Sequence, residues 1–316
     1  MTKTIEVPAP DFDLAVTLDS GQVFHWEPID GGFIGTIGDR PVYVEQSGPL
    51  LKVAVGKLDR LKPSSLSGSE SGARGSERLV ANYFALDHPL AEICASFPKD
   101  AVMKAAREFC HGLRIIRQPK WECLATFICS SMKQVAHIRQ ISRSLRKRFG
   151  VGRGIGIRAV YTFPTAKRLA RSSEKELRAC ALGYRAANLL KTARLVSEGK
   201  ADLETWASLD DAGLRERLCQ LPGVGAKVAN CVMLFGYERL GAFPVDVWIE
   251  RVLREKYLPH ARKLNAARLR TFTQEYFGKH GGYAQQYLFH HARKTARRNR
   301  TSRKRATLCR LSPSRP

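Results

Sequence analysis

No run in the 316-residue chain approaches the ~18 consecutive apolar residues of a membrane-spanning helix, and the first residues, MTKTIEVPAPDFDL, hold no apolar stretch of the signal-peptide kind. There are eight cysteines but no Cys-x-x-Cys pair, which excludes the usual zinc spacings and a disulfide framework. Reduced thiols in an intracellular protein are expected instead, with no metal. Acidic residues are scarce: 29 Asp and Glu stand against 53 Lys and Arg, a formal net charge of +24. From Arg293 onward there is no Asp or Glu at all, against ten Lys and Arg, which leaves +14 on the rest of the chain. Yet 44% of residues are hydrophobic and 9% aromatic, so the chain is no disordered polycation. A globular body with this charge points to a polyanionic partner, nucleic acid ahead of an anionic membrane surface.

What is present divides into parts. Short β-branched or aromatic runs at 15–18, 23–26, 32–37, 41–44 and 51–55, separated by Gly, Asp and Ser turns, predict strands. The Ser- and Gly-rich stretch 64–76 predicts a flexible loop. Beyond it, apolar residues at i, i+3 and i+4 predict helices at 77–84, 89–96, 101–111, 121–149, 163–170, 174–180, 184–198, 211–220, 226–235, 247–257, 266–277 and 283–294. The expected fold class is α+β, an antiparallel β-rich N-terminal part packed on a larger all-helical part. The expected divisions are 1–118 for the β-rich domain with its first helices, 119–291 for the helical domain, and 292–316 for a disordered basic tail.

The segment Leu221-Pro222-Gly223-Val224-Gly225-Ala226-Lys227 joins two predicted helices through a glycine-rich turn. Glycines let a backbone approach a phosphate closely, and the free amides at the start of the second helix favour an anion. This is the form of a helix-hairpin-helix, with Gly223, Val224 and Gly225 as candidate DNA-backbone contacts; such contacts position a duplex without reading it. Lys227 stands at the start of the second helix, where the positive end of the helix dipole favours a neutral amine nucleophile. Asp246, in Pro244-Val245-Asp246-Val247 at the start of a later helix, is a candidate to take a proton or steady a developing cation. The same spacing also fits a second phosphate contact at Lys227 and a plain helix cap at Asp246.

Hairpin, lysine and downstream PVDV together resemble the HhH-GPD superfamily of DNA glycosylases, and within it the 8-oxoguanine DNA glycosylase/AP lyase family. The resemblance spans about residues 20 to 289 and includes Ser20-Gly21-Gln22-Val23-Phe24-His25-Trp26, Phe127-Ile128-Cys129-Ser130-Ser131, Leu182-Gly183-Tyr184-Arg185-Ala186 and Tyr283-Ala284-Gln285 with Phe289. It implies Lys227 as the nucleophile on C1′ of the damaged nucleotide, forming a Schiff base followed by β-elimination, with Asp246 as the activating carboxylate. It implies a backbone carbonyl of Gly21 that accepts from the N7–H of 8-oxoguanine, Cys231 and Phe289 as the faces that sandwich the flipped base, and Gln285 as the reader of its Watson–Crick edge. Taken without the resemblance, Cys231 and Phe289 fit plain core, Gln285 a surface residue and Gly21 a turn. By the same likeness Tyr184 is the wedge that kinks the duplex and Arg185 a reader of the opposite cytosine. The partner implied is double-stranded DNA containing oxidised guanine, bound by a monomer without a cofactor. The compartment implied is the cytoplasm and nucleoid of a bacterium or the nucleus of a eukaryote.

The sequence departs from the family pattern at three places. An Asn-rich run is expected after the two serines, but Met132-Lys133-Gln134 stands there, and an expected arginine further on is His137. Trp248 occupies the place of a phosphate-contacting histidine. Relaxed discrimination of the opposite base is therefore expected. The alternatives are another HhH-GPD glycosylase with a different substrate base, or a non-catalytic hairpin DNA-binding protein. No Cys lies between Cys231 and Cys309, which excludes the four-cysteine iron–sulfur cluster of some relatives, and Lys227 disfavours those that lack the lysine.

Overall fold

Five antiparallel strands and a short helix build the N-terminal layer of the computed structural model, which describes residues 4–56, 72–261 and 265–310, with side chains as far as Ala296. In chain order these elements are β1 (Thr4–Pro8), α1 (Leu14–Asp19), β2 (Glu27–Ile29), β3 (Gly32–Ile37), β4 (Arg40–Ser47) and β5 (Leu50–Val55). The sheet order is β1-β5-β4-β3-β2, so the first strand returns beside the last. Val42, Val44, Leu51 and Val53 alternate onto one face and are buried. They join Leu14, Leu18, Trp26, Tyr83 and Phe84 in one core cluster.

The remaining elements are helical apart from one hairpin. They are α2 (Ala73–Tyr83), α3 (Leu90–Ala95), α4 (Ala101–Phe109), α5 (Lys120–Ser130), α6 (Val135–Phe149), the strands β6 (Gly152–Ile155) and β7 (Arg158–Tyr161), then α7 (Ala166–Ala170), α8 (Glu174–Leu177), α9 (Arg185–Ser197), α10 (Asp211–Cys219), α11 (Ala226–Gly236), α12 (Val247–Val252), α13 (Ala266–Phe277) and α14 (Gly281–Arg310). A second, larger core cluster runs through them, with α5 and α11 buried almost all round. The β-rich layer on a helical body is the architecture that the strand-like runs and the helical periodicity predicted.

Several local expectations fail for identifiable reasons. Residues 15–18, predicted as a strand, form α1: the Asp13 carboxylate accepts from the Val16 amide at 2.8 Å, and Leu14, Thr17 and Leu18 bury a helical stripe. A good cap and a fitting face outweigh the weak helix propensity of Val16 and Thr17. Residues 23–26 form no strand. Their neighbour Gln22 supplies amide groups instead, donating to the Arg114 carbonyl at 2.8 Å and accepting from the Ile116 amide at 2.7 Å. The long helix predicted over 121–149 is two helices, because the chain turns at Met132, whose φ is +53°. The helices at 174–180 and 247–257 change to wider π-turns after Leu177 and Val252. β1, β2 and the β6–β7 hairpin are additional to the predicted elements. Of the loop predicted at 64–76, residues 64–71 lie outside the described residues, and Ala73–Ser76 begin α2. The basic segment after residue 292, expected to be disordered, continues α14 as far as Arg310. Long unbranched Arg and Lys side chains with interspersed alanine suit a helix, and the first proline after Gly282 is Pro313.

Candidate active site

The hairpin between α10 and α11 is held from inside. Leu221 and Val224 are buried, the Val224 amide donates to the Leu221 carbonyl at 3.1 Å, and the Thr192 hydroxyl donates to the Pro222 carbonyl at 3.0 Å. Gly223 has φ +82°, and a Cβ there would stand 2.8 Å from that of Asn188, so only glycine fits. α11 starts at Ala226 after Gly225 with no side-chain cap. Its first amides are therefore offered to an incoming anion. Val224 contributes an anchor under the turn, its amide spent inside the hairpin, while Gly225 is exposed at the rim.

Lys227 is the second residue of α11. Its Nζ donates to the Ser130 hydroxyl at 3.3 Å and lies 5.3 Å above the Phe127 ring. Ser130 in turn donates to the Phe127 carbonyl at 2.8 Å, which leaves its oxygen lone pairs facing the amine. One turn along α11, Cys231 is buried; burial pushes its thiol up to about 11, against the charge of Lys227. Asp246 is half-buried as the N-cap of α12 and accepts from the Ile249 amide at 2.9 Å. Burial raises its carboxyl above the ordinary value, and the Ile249 bond and the Lys227 charge offset this only in part. The cap and the neighbour of Lys227 are thus the same residue.

A second group gathers around α14. Gly21, with φ +90°, packs on Phe289: a Cβ on Gly21 would stand 3.0 Å from Cε1 of that ring. Any side chain at Gly21 would push against the ring. Gln285, one turn before Phe289, is only 4% exposed rather than a surface residue, and its Oε1 is buried with no hydrogen-bond partner. A buried acceptor left without a donor costs about 1–3 kcal/mol, a cost that a bound donor removes.

The third group lies at the α5–α6 break. Met132 is 93% exposed, Tyr184 is 56% exposed, and the Tyr184 hydroxyl approaches the Met132 sulfur at 3.9 Å. Arg185, expected to face an opposite base, is instead buried. Its guanidinium stacks 4.3 Å from the Tyr184 ring and donates through Nε (2.7 Å) and Nη2 to the Ser131 carbonyl. His137 is exposed on the first turn of α6, and Trp248 is half-buried with Arg251 over its ring. The cavity of about 500 Å³ between β3, α6 and β7 is lined by none of the candidate site residues.

Sequence reasoning missed Ser130 and Phe127 as partners of Lys227, although both stood in a stretch that matched the family. It also missed Asp19 and Arg293, which no local pattern marks.

A helix-hairpin-helix carrying a lysine on its second helix, with a capping aspartate near that lysine, defines a protein of the HhH-GPD base excision DNA repair class. Two family models match the chain: 8-oxoguanine DNA glycosylase, N-terminal domain, at residues 4–124, and HhH-GPD superfamily base excision DNA repair protein at residues 125–275. The N-glycosylase/DNA lyase OGG1 of Arabidopsis thaliana is 30% identical over 299 residues, covering 88% of this chain and 77% of that protein. MBOgg1, solved in complex with a low-affinity DNA ligand, is 30% identical with a TM-score of 0.84, covering 94% of this chain and 97% of that one. The apo-form 8-oxoguanine glycosylase/lyase of Clostridium acetobutylicum is 29% identical with a TM-score of 0.80, covering 92% and 96%. The chain belongs to the 8-oxoguanine DNA glycosylase family of N-glycosylase/DNA lyases.

Proposed function

We propose that the protein is a bifunctional DNA glycosylase and abasic-site lyase that removes 8-oxoguanine from duplex DNA in base excision repair. The observation that carries this reading is the amine of Lys227, on the uncapped end of the hairpin helix and within the field of the half-buried carboxylate of Asp246. Amides at that helix end hold the strand through a phosphate, which brings the amine to the sugar. The damaged base is flipped out, at a cost of a few kcal/mol of unstacking. It enters a slot with Phe289 on one face and Cys231, one turn along from Lys227, on the other, and with Gly21 at its edge. The Gly21 carbonyl accepts from the N7–H that 8-oxoguanine has and guanine lacks, so guanine presents an acceptor to an acceptor. The unpartnered Oε1 of Gln285 accepts from the base edge.

Asp246 takes the proton from the Lys227 ammonium. Nζ then bonds to C1′ as the N-glycosidic bond breaks; the electron pair of that bond leaves with the base, which takes up the proton held by Asp246, and the restored carboxylate steadies the cationic centre. A proton passes from Nζ to O4′ as the sugar ring opens, which gives the protonated imine. The imine acidifies the C2′ proton; its removal breaks the C3′–O3′ bond, and hydrolysis of the imine frees Lys227. DNA in the cell interior is the substrate this implies, in the nucleoid or the nucleus according to the organism; among the described residues no helix is long and apolar enough to cross a membrane.

Borohydride reduction of the reaction on an 8-oxoguanine duplex tests the reading. The wild-type protein is expected to be trapped covalently on the DNA, and Lys227→Gln to give neither trapping nor strand cleavage. Trapping by Lys227→Gln would remove Lys227 as the nucleophile.

A further inference from the structure

The loop that presents Gly21 is the end of α1, and its polar groups are tied down on both sides of the glycine. The Ser20 hydroxyl donates to the Thr17 carbonyl at 2.7 Å, and the Ser20 carbonyl accepts from Gln286 Nε2 at 2.9 Å. The Gln22 carbonyl accepts from Gln118 Nε2 at 2.8 Å. Before the glycine comes Asp19, the last residue of α1, and three cations converge on it. Arg139 of α6 meets its carboxylate at 3.0 Å, Lys294 of α14 pairs with it more closely, and Arg293 reaches it at 4.0 Å while also donating to the Asp19 backbone carbonyl. A carboxylate at the negative end of a helix is misplaced unless cations compensate it. Here they come from two other elements, while Arg293 and Gln286 also satisfy carbonyls that a helix end leaves orphaned. Partial burial pushes the Asp19 carboxyl up, but the Lys294 hydrogen bond and the charges of Arg293, Lys294 and Arg139 outweigh it and hold it below the ordinary value.

The same side of α14 carries Phe289, whose ring touches Gly21. Gln286, Phe289, Arg293 and Lys294 follow one another along the helix against the α1 end, and the Arg293 guanidinium lies 5.8 Å from the Phe289 ring that faces Gly21. The position of α14 against α1, and with it the contact of Phe289 with Gly21, is therefore tied at Asp19. We propose that Asp19, held by Arg139, Arg293 and Lys294, is a positioning residue that seats the Gly21 backbone against Phe289 at the edge of the slot and so governs acceptance of the oxidised base. The inference rests on the reading of Gly21 and Phe289 as parts of the base pocket. Hydrogen bonds weaken steeply once distance and angle drift, so a small shift of either residue degrades recognition without touching Lys227.

Two reactions separate the slot from the chemistry: excision of 8-oxoguanine needs both, whereas nicking at a preformed abasic site needs Lys227 but no base in the slot. Asp19→Asn is expected to lower kcat/KM for 8-oxoguanine excision at least about tenfold, the size of loss small misplacements produce, while abasic-site nicking stays within about twofold. Asp19→Glu, which keeps the charge, is expected to recover much of the loss, and both variants should melt near the wild type. Asp19→Asn that excises normally, or that loses both reactions in the same proportion, overturns the proposal. A wild-type protein that nicks abasic DNA but leaves 8-oxoguanine in place overturns the reading of the pocket, and the positioning role with it.

Discussion

Asp246 serves two purposes through one carboxylate: it caps α12 at the Ile249 amide and it faces the charge of Lys227. Burial disfavours its ionised form, so its folded pKa lies above the unfolded value. For stability the sign is that the folded state is favoured below that range and loses the benefit as pH rises through the folded pKa. The proposed mechanism requires the ionised form. Excision is therefore expected to rise with pH, its acid limb displaced upward from the ordinary aspartate value. Asparagine caps a helix as well as aspartate does. Asp246→Asn should accordingly keep the melting temperature close to wild type while lowering single-turnover excision by about 10²–10⁴-fold, the range for lost acid–base assistance. Equal loss of stability and activity would reduce Asp246 to its capping role.

In the proposed function the break between α5 and α6 meets the base opposite the lesion. It presents Met132, at a φ of +53°, and Tyr184 as two exposed apolar side chains. Arg185 stands directly behind them with its donors committed to the Ser131 carbonyl, so it braces the turn that holds Met132 out. A bidentate contact to a base is worth about 1–3 kcal/mol of discrimination. With methionine in place of asparagine and His137 in place of arginine, little of that remains to favour cytosine. Rates of excision opposite cytosine, adenine, guanine and thymine are expected to fall within about tenfold of one another, one such contact at most. A preference for cytosine of about a hundredfold or more would show that Arg185 leaves Ser131 and reads the base.

Across the whole molecule the +24 charge divides between a folded body and the end of α14. The same helix first carries Gln285 and Phe289 and then continues as a basic rod toward Arg310, so the nonspecific and the specific elements share one axis. Removing residues 297–316 deletes eight Lys and Arg. Each DNA phosphate that is no longer neutralised lowers the slope of log K against log salt by ~0.9. Truncation is expected to flatten that slope and weaken binding to undamaged duplex, with the preference for 8-oxoguanine over guanine kept within about twofold because the slot is untouched. An unchanged slope would mean that the segment touches no phosphate.

How far the sequence could be read followed the range of the forces involved. α13 was predicted at its observed limits, Ala266–Phe277, and the hairpin at Gly223–Gly225 was recognisable, because periodicity, caps and turn glycines act over a few residues. The class of partner was legible for the same kind of reason, since charge is a sum over composition. What could not be read was set by contacts between distant segments. Residues 15–18 became a helix because the sheet and α2 cover their buried face, and Arg185 turned inward because the Ser131 carbonyl, 54 positions away, lies within its reach. The orphaned Oε1 of Gln285, the packing of Phe289 on Gly21 and the three cations on Asp19 likewise exist only after α1, α6 and α14 meet. Residue types and spacing fix which groups are available for chemistry; burial and packing between remote segments settle which of them face one another.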